Sequence, residues 1–150
     1  MIRQFVLTVS ESKRLIARAV ARMEVVQRAK NEGMLAIATG TTNSYLVEEI
    51  LGRAIDKRSY LSGLTLPKKP EKGSEPRPAP MAELIFRRGE IVADLNRFTC
   101  VPHMQAGDVY IKGANALDYR NKAVGILVGG DTSATIGNAI GTIIGRRIHL

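Results

Sequence analysis

Between Gly33 and Gly52 the chain reads GMLAIATGTTNSYLVEEILG, and this stretch restricts the available folds more than any other. Met34–Ala38 is an unbroken apolar run of strand length, as expected for a strand covered on both faces. Thr39-Gly40-Thr41-Thr42-Asn43 is a small polar turn, and the helix behind it stops at Gly52. Strand, turn and helix make half of a βαβ unit. The turn sits at the carboxyl end of the strand, where open α/β sheets bind their ligands. Thr, Gly and Asn at such a place present backbone N–H groups and hydroxyls to an anion, and the helix N-terminus adds a favourable dipole.

The flanking segments are read outward from this unit. Residues 2–9 form a short strand or an extended arm. Ser10 or Ser12 then caps a helix running to Lys30. Leu15, Ile16, Ala19, Val20, Met23 and Val26 share one face of it, and Arg14, Arg18 and Arg22 form a stripe on another. Such a stripe tracks phosphates or, more commonly, is the solvated face of an amphipathic helix. Asn31-Glu32-Gly33 ends the helix. Beyond Gly52, Arg53–Ser59 is irregular and Tyr60–Leu66 reads as a second strand weakened by Gly63. Pro67–Pro80 holds five of the six prolines and reads as a flexible, solvated loop. Ala82–Asp94 is a hairpin turning at Arg87-Arg88-Gly89-Glu90. Leu95–Met104 connects, since Pro102 argues against a central strand.

The last third returns to α/β rhythm. Asp108–Lys112 is a strand followed by the small-residue loop Gly113–Ala116. Ala123–Val128 is a second strongly apolar strand, expected to be covered on both faces. Gly129–Ser133 is another glycine-rich turn, with Asp131, Thr132 or Ser133 capping a helix to about Ile144. Gly137, Gly141 and Gly145 recur every four residues, which suggests close approach of that helix to the sheet or to another helix. Ile148–Leu150 begins one more strand, so the chain reads as a C-terminally truncated form of something longer. The whole predicts a single α/β domain over residues 1–150. It would be a three-layer, mostly parallel Rossmann-like sheet with helices on both faces.

The net charge of +8 favours anionic partners: phosphorylated metabolites, nucleotides or nucleic acid. One cysteine, Cys100, allows no intrachain disulfide. No apolar run reaches the ~18 residues of a membrane span, and the N-terminus MIRQFVLTVSESKR has no signal-peptide pattern. The expectation is a cytoplasmic protein with no membrane partner. The first turn lacks the Lys-Ser/Thr ending of a P-loop, and no strand is followed by G-x-G-x-x-G, so no cofactor is implied. His103, His149 and Cys100 do not make a metal-ligand spacing. What remains is three small-residue loops that a parallel sheet would gather at one edge. They nominate Thr39, Gly40, Thr41, Thr42, Asn43, Gly113, Asn115, Gly129, Gly130 and Thr132 as ligand-binding residues, with the hydroxyl of Ser133 beside them. Asp131 is the candidate general base.

This arrangement resembles the superfamily of ribose-5-phosphate isomerase, glucosamine-6-phosphate deaminase and CoA-transferases. A basic helix (Ser12–Lys30) precedes a strand ending in Ala38-Thr39-Gly40-Thr41-Thr42, which looks like that family's phosphate loop. Val109–Asp118, VYIKGANALD, looks like the isomerase stretch D-G-A-D-E after a strand, and Gly129-Gly130 falls where the family has another glycine-rich loop. The resemblance covers residues 12–52 and 108–145. It implies a phosphorylated ligand, held by the first turn, with Asn115 on the ligand's hydroxyls. It departs at the acids: the isomerase positions fall on Lys112, Asn115 and Ala116, none of them acidic. An aldose–ketose isomerase needs a base to move a proton, so the phosphate-binding half is retained and the proton-transfer half is not. Two other readings stand beside this one. One is a nucleic-acid-associated protein using the Arg14/Arg18/Arg22 helix and Lys68, Lys69 and Lys72. The other is a non-catalytic oligomeric scaffold, in line with an expected homo-oligomer, using the Gly137/Gly141/Gly145 face.

Overall fold

The structure is a computed structural model in which residues 3–61 and 78–150 are described. Helix α1 (Val9–Ala21) opens the fold. Its cap is Thr8, two residues ahead of the nearer expected serine. The Thr8 side chain accepts from the Glu11 N–H while Glu11 reaches back to the Thr8 N–H, a capping box. Residues 3–8 carry no regular structure and are exposed.

The single helix expected to Lys30 is broken. α1 ends at Ala21, and α2 (Glu24–Glu32) begins after an extended Met23. The buried positions explain the break. Ala17 of α1 and Val26 of α2 both enter one core, yet nine residues along a straight helix would set them about 180° apart. The bend lets both face inward and leaves Leu15, Ile16 and Met23 exposed, against the face read from the sequence.

Strand β1 (Met34–Ile37) is buried throughout. Its side chains alternate between two cores. Leu35 and Ile37 pack with Ala17, Val26, Leu46 and Val47; Met34, Ala36 and Ala38 pack with Cys100, Met104, Tyr110, Ala139 and Ile143. α3 (Thr41–Leu51) follows and ends at Gly52, whose φ of 66° is the left-handed region that glycine supplies. Arg14 of α1 clamps α3, pairing with Glu48 and Glu49 and stacking over Tyr45 at 4.8 Å; Arg18 also pairs with Glu49.

The hairpin forms as read: β2 (Leu84–Arg87) and β3 (Glu90–Ile91) flank Arg88 and Gly89, both at positive φ, the geometry of a type I′ turn. β4 is Val109–Ile111. The sheet order is β3-β2-β1-β4, and this overturns the three-layer, mostly parallel Rossmann-like sheet. β1 pairs antiparallel with β2, and β2 antiparallel with β3. Among the strands, β1 with β4 is the parallel pairing. The reason is local. The β2–β3 hairpin takes the edge of β1 that a crossover strand would need, and adjacent hairpin strands are antiparallel. His149 adds one parallel bridge to Val109 on the far side of β4.

The apolar run Ala123–Val128 does not enter this sheet. β5 (Ala116–Asp118) and β6 (Ala123–Gly125) make a separate antiparallel pair, and Val124, Leu127 and Val128 are exposed. Tyr60 and Leu61 lie outside any strand, and the rest of the expected strand at 62–66, like most of the proline-rich loop, lies outside the described residues. α4 (Ala134–Gly145) packs over the Cys100–Met104 segment. Of its three glycines, Gly137 alone is crowded: an added Cβ would meet the Thr132 carbonyl oxygen at 2.0 Å, whereas Gly141 and Gly145 have open space. The close approach is to the preceding loop, not to the sheet or another helix.

Candidate anion-binding cleft

The first turn is built into the core. The Ala38 N–H donates to the Ile111 carbonyl at 2.9 Å, and the Gly40 N–H to the Tyr60 carbonyl at 2.9 Å. The Asn43 amide donates to the carbonyl of Ala38 at 2.7 Å and leans toward that of Ile111 at 3.4 Å. Asn43 is therefore a buried clip between the ends of β1 and β4, and its amide hydrogens are committed to the backbone. Below it, the Tyr60 hydroxyl donates to the Ile37 carbonyl at 2.5 Å and accepts from the Leu84 N–H at 2.8 Å. That oxygen extends the β1–β2 ladder by one rung at the Ile37–Leu84 pair. Burial pushes the Tyr60 phenol well above its usual range, with the nearby Glu83 charge adding to it.

Thr39 is braced from the other side. The buried Glu83 carboxylate accepts from the Arg97 guanidinium at 2.5 Å and from the Thr39 N–H at 3.4 Å. Arg97 also donates to the Thr39 hydroxyl at 3.3 Å. Gly40 itself has an extended φ of 168°, and an added Cβ would come no nearer than 3.9 Å to Asn43. The turn's shape thus comes from these hydrogen bonds rather than from glycine.

Around this turn lies a cleft of about 490 Å³. Thr39, Gly40, Thr41 and Thr42 form one wall, and Gly113, Ala114 and Asn115 form another. Ser133–Ile136, the first turn of α4, closes the third side. Two of the three expected loops therefore meet as read, and the third contributes its last residue. Gly129, Gly130 and Thr132 are exposed outside the lining set, as is Asp131. Asn115 lines the cleft, but its carboxamide oxygen accepts from the Leu127 N–H at 2.9 Å.

Two cationic residues absent from the sequence-derived set also line the cleft, Lys13 from α1 and Lys112 just after β4, and Leu127 and Val128 add apolar surface to it. No acidic side chain lines it, among the described residues. Lys13 carries no sequence signal, because the packing of α1 on α3 is what brings it here. Lys112 was legible as the residue ending a buried strand, where side chains reach a sheet's ligand edge. Burial, with the Arg97 charge behind it, holds the Lys112 ammonium pKa below its usual value.

The first three or four N–H groups of each helix have no intrahelical acceptor. Neither α3 nor α4 has a side-chain cap bond at its N-terminus. Chemically, the cleft offers backbone donors, threonine hydroxyls and two cations to an anion. Among the described residues, no group of three or more His, Cys, Asp or Glu side chains is placed to hold a metal, and no helix is long and apolar enough to cross a membrane. No family model, curated protein or solved structure matches this chain.

Proposed function

We propose that this protein binds a phosphorylated small molecule, a sugar phosphate or a nucleotide-type ligand, between the first turns of α3 and α4. One observation carries the reading. Two uncapped helix N-termini, Lys13 and Lys112 line a single cleft from which carboxylates are absent among the described residues. Each N-terminus favours an anion by its dipole and free amides, and both lysines add charge. A volume of about 490 Å³ suits a ligand of that size. The net charge of +8 draws anions toward the surface.

The nucleic-acid alternative loses support where it was strongest. Arg14 and Arg18 are engaged by Glu48 and Glu49; Lys68, Lys69 and Lys72 lie outside the described residues and bear on neither reading. The exposed Leu117, Tyr119 and Val124 of β5–β6 favour self-association, and the buried, unpaired Cys100 suits a reducing, cytoplasmic setting.

Thermal unfolding tests the proposal. At ligand a hundred times its Kd, binding adds about 2.7 kcal/mol. For a chain of this size that raises Tm by about 5 °C or more. Inorganic phosphate and sugar phosphates should do so against chloride at equal ionic strength, and a Lys13→Met/Lys112→Met protein should lose most of the shift. If no phosphorylated compound moves Tm at millimolar concentration, the reading fails.

A further inference from the structure

We propose that Lys112 is a nucleophile that forms an imine with the carbonyl carbon of a phosphorylated aldehyde or ketone held in this cleft. The inference rests on the anion-binding reading and adds the ligand's second functional group. Lys112 follows directly on Ile111, which is in parallel register with Ile37. The Ala38 N–H and the Asn43 amide both reach the Ile111 carbonyl. The backbone that carries Lys112 is therefore pinned at the level of the Thr39 turn, and Lys112 lines the same cleft as the α3 N-terminus. A ligand gripped there by its phosphate would present its far end to the amine.

The surroundings of Lys112 differ from those of a lysine held for charge. Lys57 is salt-bridged to Glu48 at 2.6 Å. Lys112 has no carboxylate partner among the described residues, and its ammonium donates only to the Gly113 carbonyl, at 3.2 Å. The charged group nearest in effect is a like one, Arg97, whose own counter-ion Glu83 is bound to it at 2.5 Å. Burial and this like charge both disfavour the protonated amine. Desolvation beside a second cation is how lysines become nucleophilic near neutral pH.

The chemistry balances without an oxidant or reductant. The amine lone pair attacks the carbonyl carbon, forming the C–N bond while the C=O π pair moves to oxygen. A proton passes from nitrogen to that oxygen through solvent in the open cleft. The nitrogen lone pair then forms the C=N bond as the C–O bond breaks, and the hydroxyl leaves as water with the second amine proton, passed through solvent. Hydrolysis reverses each step and restores the lysine.

The experiment is reductive trapping. Wild-type protein is treated with glycolaldehyde phosphate and cyanoborohydride, and the adduct is located by peptide mass spectrometry. Expected is at least ten-fold more adduct on Lys112 than on any other lysine. Labelling should fall about ten-fold with unphosphorylated glycolaldehyde, or when inorganic phosphate competes. In Lys112→Arg protein, total incorporation should drop to the level of the surface lysines. Equal labelling by both aldehydes overturns the inference. If phosphate raises Tm but Lys112 stays unlabelled, the inference falls and the anion site stands. If neither effect is seen, both fall.

Discussion

The two helix N-termini that face the cleft are built by opposite means. That of α3 is an extension of the core. Its turn is tied to β4 through the Asn43 amide and the Ala38 N–H, both of which donate to the Ile111 carbonyl, to the Tyr60 carbonyl through Gly40, and to Glu83 and Arg97 through Thr39. That of α4 hangs on an exposed loop. Ser133 and Ala134 both adopt positive φ, 56° and 50°, a conformation that costs about 1–2 kcal/mol in a residue with a Cβ. The same pair of features, an uncapped helix start and small residues before it, thus arises once as a rigid seat and once as a strained, solvent-facing arm. The lesson is that motif similarity in sequence says little about preorganisation. What matters is which buried polar groups hold the turn.

Three changes would break or sharpen that contrast. The largest effect is expected from Tyr60→Phe. It deprives the Ile37 carbonyl and the Leu84 N–H of their buried partner, at a cost of about 3 kcal/mol. Urea unfolding should show that loss, and amide exchange should quicken across Thr39–Asn43 while α4 keeps its protection. A cost below about 1 kcal/mol would mean that the first turn is not anchored through this hydroxyl.

Acid should come next. Burial alone would raise the pKa of Glu48, but hydrogen bonds from Lys57, Arg14 and the Ile55 N–H outweigh it and lower the value from 4.5 to about 2. Because the folded pKa lies below the unfolded one, the stabilisation is complete above pH about 4.5 and is lost as pH falls through about 2. Against a Glu48→Gln variant, wild type should lead by on the order of 2 kcal/mol near neutrality, and the lead should vanish in strong acid. α4, with the sequence ATIGNAIGTIIG, has no ionisable side chain, so its exchange rates should not differ between the two proteins across that range. The smallest effect is expected at Ser133→Gly. Relief of the positive φ, offset by the flexibility of glycine, should stabilise by about 0.5 kcal/mol, readable as a slight rise in Tm. A loss of stability instead would show that the α4 arm is held as firmly as the α3 seat.

The elements that sequence reasoning found are those whose signals are local. The apolar run of β1, Gly52 after α3 and the Arg88-Gly89 turn each carry their own physical cause within a few residues. Thr8-Val9-Ser10-Glu11 carries a capping-box signal too, but Ser10 and Ser12 offer rival caps in the same few residues, so the helix start is ambiguous in the sequence. Pairing was not legible. Nothing in Leu84–Arg87 says that it, rather than a crossover strand, takes the edge of β1. Ala123–Val128 is apolar enough for a sheet interior yet pairs locally with Ala116–Asp118. At the site, the Thr39–Thr42 and Gly113–Asn115 walls could be read from their loops. Lys13, Glu83 and Arg97 could not, because Lys13 reaches the cleft only through the packing of α1 on α3, and Glu83 and Arg97 meet Thr39 only where the segments around Met81 and Leu95 come together.

Cys100 lies fully buried against the face of the sheet opposite α1–α3. Burial, reinforced by the negative charge of Glu83, pushes its thiol up to about 12. Alkylating reagents require a thiolate they can reach, and the closed protein offers neither. The chain's sole sulfhydryl is thus a built-in stopwatch. The pace at which iodoacetamide consumes it records how often the layer of Cys100, Met104 and α4 lifts away from β1, the strand that leads into the Thr39 turn.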